Sequence, residues 1–144
     1  MRRKVLLVHG IFSTGENSIG KLAPLLEEKG VEPVAYKYFP NDLIAARLLN
    51  WKRSREVERI AWRSKVNVGA GHSNGCAILH EAARRSAWLK RLVYVNPALD
   101  SKPKALPAEV ERVYVLHAPD DMATWVAKFL LFSPWGDMGR NGYK

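Results

Sequence analysis

Five short apolar segments, separated by helical patterns or loops, constrain the fold more than any other feature of this sequence. They cover residues 5–8, 33–39, 65–70, 91–96 and 112–117. Apolar runs of this length are typical of strands buried on both faces of a parallel sheet, and parallel strands need long crossover connections. The alternation therefore predicts an α/β protein: a three-layer α/β/α sandwich with a mainly parallel sheet of about five strands.

Helical patterns occupy most of the connections. The first helix is expected to have Pro24 in its first turn and to end at a Gly30 cap. The other predicted helices cover residues from Asn41 or Asp42 to about 63, 74–85 and 122–131. The apolar side of the second helix is expected to comprise Ile44, Leu48, Trp51, Val57, Ile60 and Ala61. Residues 97–111 carry three prolines and predict a crossover that is mostly loop.

The size and composition of the chain narrow its class. With 144 residues, 47% of them hydrophobic and 26% charged, it fits one globular domain with a real core rather than a disordered chain. No apolar run approaches the roughly 20 residues of a membrane helix, so no transmembrane segment is expected. Cys76 is the only cysteine, which rules out an internal disulfide and favours a cytoplasmic location.

The net charge of +9 would attract nucleic acid or an anionic membrane. Seven Lys or Arg residues lie between Arg47 and Lys65, with Trp51 and Trp62 among them. No nucleic-acid-binding motif accompanies these charges, so a solvated surface is the preferred interpretation and no specific nucleic-acid partner is expected. A membrane-surface role remains an alternative.

One pentapeptide carries a chemical signature. Gly71-His72-Ser73-Asn74-Gly75 follows the third predicted strand and opens the third predicted helix. Gly-x-Ser-x-Gly in this context is a nucleophile elbow, where glycines on both sides allow a strained serine between a strand and a closely packed helix. The helix N-terminus favours negative charge developing nearby. The alternative is an ordinary glycine turn.

A second motif supports the elbow. The first strand ends at His9-Gly10, and Gly10 allows a sharp turn after it. Acyl transfer needs two backbone N–H groups that hold an oxyanion, one from the residue after the nucleophile and one from a loop after an earlier strand. These would be Asn74 and Ile11. Phe12 offers an alternative N–H donor, and it and His72 are the predicted substrate contacts.

Four segments together, VLLVHGIFSTGEN, VGAGHSNGCAILH, LVYVNPALD and VYVLHAPDD, resemble the α/β-hydrolase superfamily over about residues 4–125. The resemblance implies that the elbow strand is central, with the first strand beside it. It also implies that the catalytic acid lies in HAPDD, where Asp121 matches the usual spacing better than Asp120. The alternative for both aspartates is that they cap the following helix.

The catalytic base does not follow from this resemblance. Serine needs a base that accepts its proton, and in the family this histidine comes after the acid, whereas this chain has none after His117. His9 is structural in the family, His72 and Ser73 should point apart across the elbow, and His80 lies about 10 Å down the helix. His117 would lie about 10 Å away, two strands from the elbow.

Three explanations for the missing base remain open. The chain is a shortened form of a longer protein, a partner chain supplies the base, or the domain has lost catalysis and only binds. Residues 136–144, GDMGRNGYK, favour the first because their glycines and polar end predict a loop cut in the middle.

The prediction is a single α/β-hydrolase-like domain over residues 1–144, which the first explanation would make incomplete at its C-terminus. Its predicted function is that of an esterase- or lipase-like serine hydrolase cleaving an ester or related acyl bond of a small molecule. The alternative is an inactive binding or interaction protein of the same fold. No cofactor is implied, no metal-ligand spacing is present, and the oligomeric state is left open.

Overall fold

The described part of the computed structural model contains a single five-stranded sheet. The structure describes residues 2–11, 16–38, 48–118, 136 and 138–143. The strands are β1 (Arg3–Val8), β2 (Val31–Tyr36), β3 (Val68–His72), β4 (Arg91–Val95) and β5 (Arg112–Leu116).

The strands are all parallel, in the order β2-β1-β3-β4-β5. Val8 of β1 pairs with Gly71 of β3, and His72 of β3 pairs with Val95 of β4. The expected fold class is confirmed, and so is the central position of the elbow strand with β1 beside it. Because all strands run the same way, their carboxyl ends meet at one edge, where sites of such sheets form.

Four α-helices complete the described architecture: α1 (Leu22–Glu28), α2 (Asn50–Ser64), α3 (Asn74–Ala83) and α4 (Met138–Asn141). A 3-10 turn at Ile19–Lys21 leads into α1. Gly30 ends this region with φ 71°, and its N–H donates to the Glu27 carbonyl at 2.9 Å, as the cap prediction required. The predicted helix over 122–131 and the predicted caps Asn41 and Asp42 lie outside the described residues.

The third strand is shifted relative to its prediction. Lys65 is not in the strand but ends α2 in a left-handed conformation, with φ 53°. The strand instead extends to His72, so the first two elbow residues, Gly71 and His72, belong to β3. The apolar pattern misplaced this boundary because Val66 is buried just before the strand, in the main core.

The packing face of α2 also differs from its prediction. Trp51 is 58% exposed, and Leu48 just before the helix is exposed as well, so placing them on the apolar side is wrong. The buried residues of α2 are Asn50, Arg53, Ser54, Val57 and Ala61, which follow helical spacing. The first three are polar, and burial is possible because Asn50 and Ser54 have hydrogen-bond partners and Arg53 stacks on Tyr38.

Helices cover both faces of the sheet. Leu6 and Val8 of β1 face the main core, which also contains Val57 of α2 and Leu79 of α3. Leu7, whose side chain alternates to the other face, joins a smaller cluster with Ile19 and Ala70. The segment over 97–111 contains no helix, as predicted.

The C-terminal segment is not the loop that its glycines predicted. Residues 138–141 form α4, and Met138 is buried in the main core. The Met138 N–H donates to the Leu99 carbonyl at 2.8 Å, which ties α4 to the loop after β4. No helix in the described part of the chain has the length and apolar character needed to cross a membrane.

Candidate active site

Ser73 stands at the junction of β3 and α3 in a rare backbone conformation. Its φ is 52° and its ψ is −121°, a region that residues with a Cβ normally avoid and that costs about 1–3 kcal/mol. Its N–H donates to the Val95 carbonyl at 3.0 Å, and its carbonyl accepts from the N–H groups of Cys76 (3.0 Å) and Ala98 (3.2 Å). Three backbone hydrogen bonds thus hold the half-buried Ser73 in a strained backbone conformation.

The two flanking glycines are required by the close packing of α3. A Cβ on Gly71 would lie 2.8 Å from the Cys76 nitrogen. A Cβ on Gly75 would lie 2.2 Å from the Val8 carbonyl oxygen and 2.5 Å from that of His9, both in the backbone of the neighbouring β1 and its end. Side chains at these positions would push α3 off the sheet, which explains the Gly-x-Ser-x-Gly spacing sterically.

The turn after β1 reaches the serine. A Cβ on Gly10 would lie 3.0 Å from the Ser73 Cβ and 3.1 Å from Nδ1 of His72. Gly10 therefore brings the beginning of this loop into contact with the elbow. Ile11 follows Gly10 at the carboxyl end of β1. Phe12 lies outside the described residues.

The side chain of Asn74, directly after Ser73, is fully buried and fixed by a reciprocal pair of amide hydrogen bonds. Asn50 Nδ2 donates to Asn74 Oδ1 at 2.8 Å, and Asn74 Nδ2 donates to Asn50 Oδ1 at 3.1 Å. Asn74 Nδ2 also lies 3.4 Å from the Tyr38 hydroxyl. Together Asn50, Asn74, Tyr38 and His9 form what we call the amide network, which connects the start of α2 to the elbow.

His9 joins the network from the end of β1. Its ring stacks on Tyr38 with centroids 4.2 Å apart, and its Nε2 accepts the Tyr38 N–H at 3.2 Å. Its Nδ1 lies 2.7 Å from the Gly10 carbonyl oxygen, so Nδ1 carries the hydrogen. The Tyr38 hydroxyl donates to the His9 carbonyl at 3.0 Å, and the Arg53 guanidinium lies 4.3 Å from the Tyr38 ring centroid. Burial lowers the pKa of His9, and the Arg53 charge acts in the same direction.

His80 has a comparable environment on α3. Its ring nitrogens lie 3.0 Å from the Tyr94 hydroxyl and 2.9 Å from the Lys104 carbonyl oxygen, and burial lowers its pKa. His80 is thus a buried packing residue, with both nitrogens engaged away from Ser73. His117 follows β5, two strands from β3, so the expected separation of two strands is confirmed.

These two histidines predict acid sensitivity. Because both pKa values are lowered on folding from the ordinary 6.5, the unfolded chain binds more protons below that pH. The free energy of unfolding should be greatest above pH 7 and should fall towards pH 5. The slope is at most about 1.4 kcal/mol per pH unit for each histidine.

Urea unfolding at pH 7.5, 6.5 and 5.5 measures this slope. The variant His80→Gln should be less stable at pH 7.5, yet its stability should depend less on pH than that of the wild type. Equal slopes in the two proteins would show that His80 does not contribute.

Cys76 does not compete with Ser73 as a nucleophile. Its thiol is fully buried beside the Val95 carbonyl oxygen at 3.6 Å, and burial raises its pKa. A thiol held neutral and away from solvent is unreactive. No group of three metal-ligating side chains occurs among the described residues.

The structure brings together part of the predicted site. Ser73, Asn74 and His72 share the elbow, and the turn that leads to Ile11 contacts it through Gly10. Asp121 and its alternative Asp120 lie outside the described residues, as does Phe12. Sequence reasoning missed Asn50 and Tyr38. The signal for Asn50 was present, since polar residues 50, 53 and 54 recur at helical spacing in line with the apolar Val57 and Ala61.

Comparisons with known proteins identify solved structures of similar fold. No protein-family model and no curated protein matches the sequence. Among solved structures, the chain is similar to a candidate hydrolase of the alpha/beta superfamily from Xanthomonas campestris pv. campestris. The TM-score is 0.63 and the identity 23%, over 99% of this chain and 83% of that one.

Two further solved structures are similar. For an extracellular alpha/beta-hydrolase from a Paenibacillus species, the TM-score is 0.56 and the identity 17%, over 71% of this chain and 47% of that one. For a Thermus thermophilus protein, the TM-score is 0.51 and the identity 19%, over 88% of this chain and 58% of that one. The chain thus spans most of the length of the first structure and about half of each of the others. Its fold is of the α/β-hydrolase type.

Proposed function

We propose that this chain is a serine hydrolase that cleaves an ester or a related acyl bond of a small molecule, with Ser73 as its nucleophile. The observation that carries the proposal is the backbone of Ser73. A residue with a Cβ is held at φ 52° where a strand meets a helix, and the flanking glycines make room for it. Strain of this kind persists where the surrounding structure enforces it, and it is concentrated at functional sites.

In the proposed reaction, Ser73 Oγ attacks the carbonyl carbon and its proton passes to a base. The backbone N–H groups of Asn74 and Ile11 hold the resulting oxyanion, which the α3 N-terminus also stabilises. The leaving group departs with the proton, and water then hydrolyses the acyl-enzyme. The contact between Gly10 and Ser73 supports the inclusion of Ile11, and the buried amide network supports the fixed position of Asn74.

The proposed acid is Asp121, with Asp120 as the alternative, and Phe12 and His72 are proposed to contact substrate. No base is assigned among the four histidines of this chain: the sequence places His72 and His117 poorly for the role, and the structure makes His9 and His80 unsuitable. Both ring nitrogens of His9 and of His80 already have hydrogen-bond partners within the fold. This observation favours a second candidate function, an inactive binding protein built on the same fold.

Labelling with a fluorophosphonate probe distinguishes the two functions, because the probe reacts with an activated serine and not with an ordinary hydroxyl. We expect the wild-type chain to be labelled and Ser73→Ala to lose all labelling, together with turnover of a p-nitrophenyl ester. Ser101→Ala is the matched control, since Ser101 is a buried serine on the loop after β4. Its labelling should equal that of the wild type.

Two results would contradict the proposal. Absence of labelling in the folded wild-type chain would leave the inactive binding protein as the better account. Labelling that survives Ser73→Ala would place the nucleophile elsewhere.

A further inference from the structure

A groove lies between the outer side of α2 and the segment that follows α3. Its volume is about 540 Å³. The lining includes charged and aromatic side chains from both elements, namely Arg55, Glu58, Arg59, Trp62, Arg85 and Trp88. Because Ser73 precedes α3 and Arg85 follows it, the groove and the elbow lie roughly 15 Å apart along a ten-residue helix. The groove is thus separate from the proposed active site.

The charges in the groove are unevenly neutralised. Arg85 Nε lies 3.4 Å from a Glu58 carboxylate oxygen, its Nη1 lies 3.9 Å from one of Glu81, and its Nη2 donates to Ser54 at 2.7 Å, so the charge of Arg85 is offset. Arg55 lies over the Trp51 ring at 5.2 Å. Within the described part of the chain, Arg59 makes no ion pair. Arg55 and Arg59 therefore give the groove a net positive charge.

Two tryptophans expose apolar area at the same place. Trp62 is 61% exposed and Trp88 is 38% exposed. Tryptophan and arginine are the residues that most often dominate the binding energy of protein interfaces. Large aromatic side chains beside uncompensated arginines are therefore better explained by a partner than by solvent.

We propose that this groove binds an acidic, extended segment of a partner protein, with two carboxylates on Arg55 and Arg59 and an apolar side chain against Trp62 and Trp88. The spacing is suitable. Residues four apart on a helix are about 6 Å apart along its axis, and alternate residues of an extended segment are about 6.6 Å apart. A segment with acidic residues at i and i+2 would match Arg55 and Arg59. Trp62 lies three residues, about 4.5 Å, beyond Arg59, so an apolar residue at i+4 would lie about 2 Å past the Trp62 backbone position, within the width of its ring.

The small number of unpaired cations argues against a nucleic acid or another dense polyanion as the occupant. Among the lining residues Arg85 is paired with Glu58, so Arg55 and Arg59 could meet two charges of a peptide but not a row of closely spaced phosphates.

The experiment measures fluorescence anisotropy of a labelled peptide, Gly-Ser-Asp-Ser-Glu-Ser-Leu-Ser-Gly, on titration with the full chain. We expect saturable binding that is at least tenfold weaker for Arg59→Gln combined with Trp62→Ala. Arg112→Gln, which removes an exposed arginine of β5 at the edge of the sheet, should bind as the wild type does. A peptide with serine in place of leucine and one with Asn and Gln in place of the acids should each bind at least tenfold more weakly.

Ser73→Ala should bind the peptide normally, so the result is independent of whether the chain is a hydrolase. Undiminished binding by the groove variant would overturn the proposal, and so would equal affinity for the serine-substituted peptide. Stronger binding of a single-stranded oligonucleotide, or of phosphatidylglycerol vesicles, that is lost in the groove variant would assign the groove to that ligand instead.

Discussion

Replacement of Gly75 by alanine is expected to destabilise the protein by at least about 3 kcal/mol, although alanine is the better helix former by about 1 kcal/mol. The added Cβ would lie 2.2 Å from the Val8 carbonyl oxygen. Carbon and oxygen need about 3.3 Å, so α3 would have to move roughly 1 Å away from β1. The carbonyl oxygen of His9 would also be too close, at 2.5 Å, and neither it nor that of Val8 can rotate away, because both belong to the backbone.

Urea unfolding followed by far-UV circular dichroism measures this loss, with Gly30→Ala as the matched control. Gly30 has φ 71° but nothing within 4 Å of an added Cβ, so only backbone strain of about 1 kcal/mol is expected there. If Gly75→Ala were as stable as Gly30→Ala, the close approach of α3 to β1 would be wrong.

Replacement of Asn74 by alanine is expected to cost about 2–3 kcal/mol. The reason is that the change leaves the Asn50 amide buried without the partner that now satisfies its oxygen and nitrogen. Asn50→Ala should have a similar effect. The double variant should be less destabilised than the sum of the two, by about 1–2 kcal/mol, because each single change leaves the other amide buried without its partner, whereas the double change removes both amides.

Thermal or urea unfolding of the three variants completes this cycle. Asn67→Ala serves as control, since Asn67 is exposed just before β3, and its stability should change by less than about 0.5 kcal/mol. Additive effects of Asn50→Ala and Asn74→Ala would show that the two amides do not interact.

Local patterns were sufficient for much of the fold. Each apolar run became a strand of the parallel sheet, because strands buried on both faces leave an uninterrupted apolar signal. The boundaries were weaker: the run over 65–70 included Lys65, which ends α2. The C-terminal glycines predicted a loop, but Met138 packs into the main core. Local glycine spacing could not show this, because the residues that Met138 contacts are distant in sequence.

The residues of the candidate site could likewise be predicted only in part from the sequence. Gly71, Ser73 and Gly75 could be recognised from spacing, because an elbow needs small residues on both sides of the nucleophile within five positions. Asn50 and Tyr38 could not be assigned to it. They lie 24 and 36 residues before Asn74, and no local rule connects them.

The sequence by itself determined the class of sheet and the position of the strained serine, because strand burial and steric room for an elbow are properties of neighbouring residues. Only the tertiary structure decided which groups surround that serine. The approach of Gly10 to Ser73, the pairing of Asn50 with Asn74, and the engagement of His9 and His80 all depend on contacts between elements distant in sequence. Such contacts follow from strand order and helix packing, which no run of adjacent residues encodes.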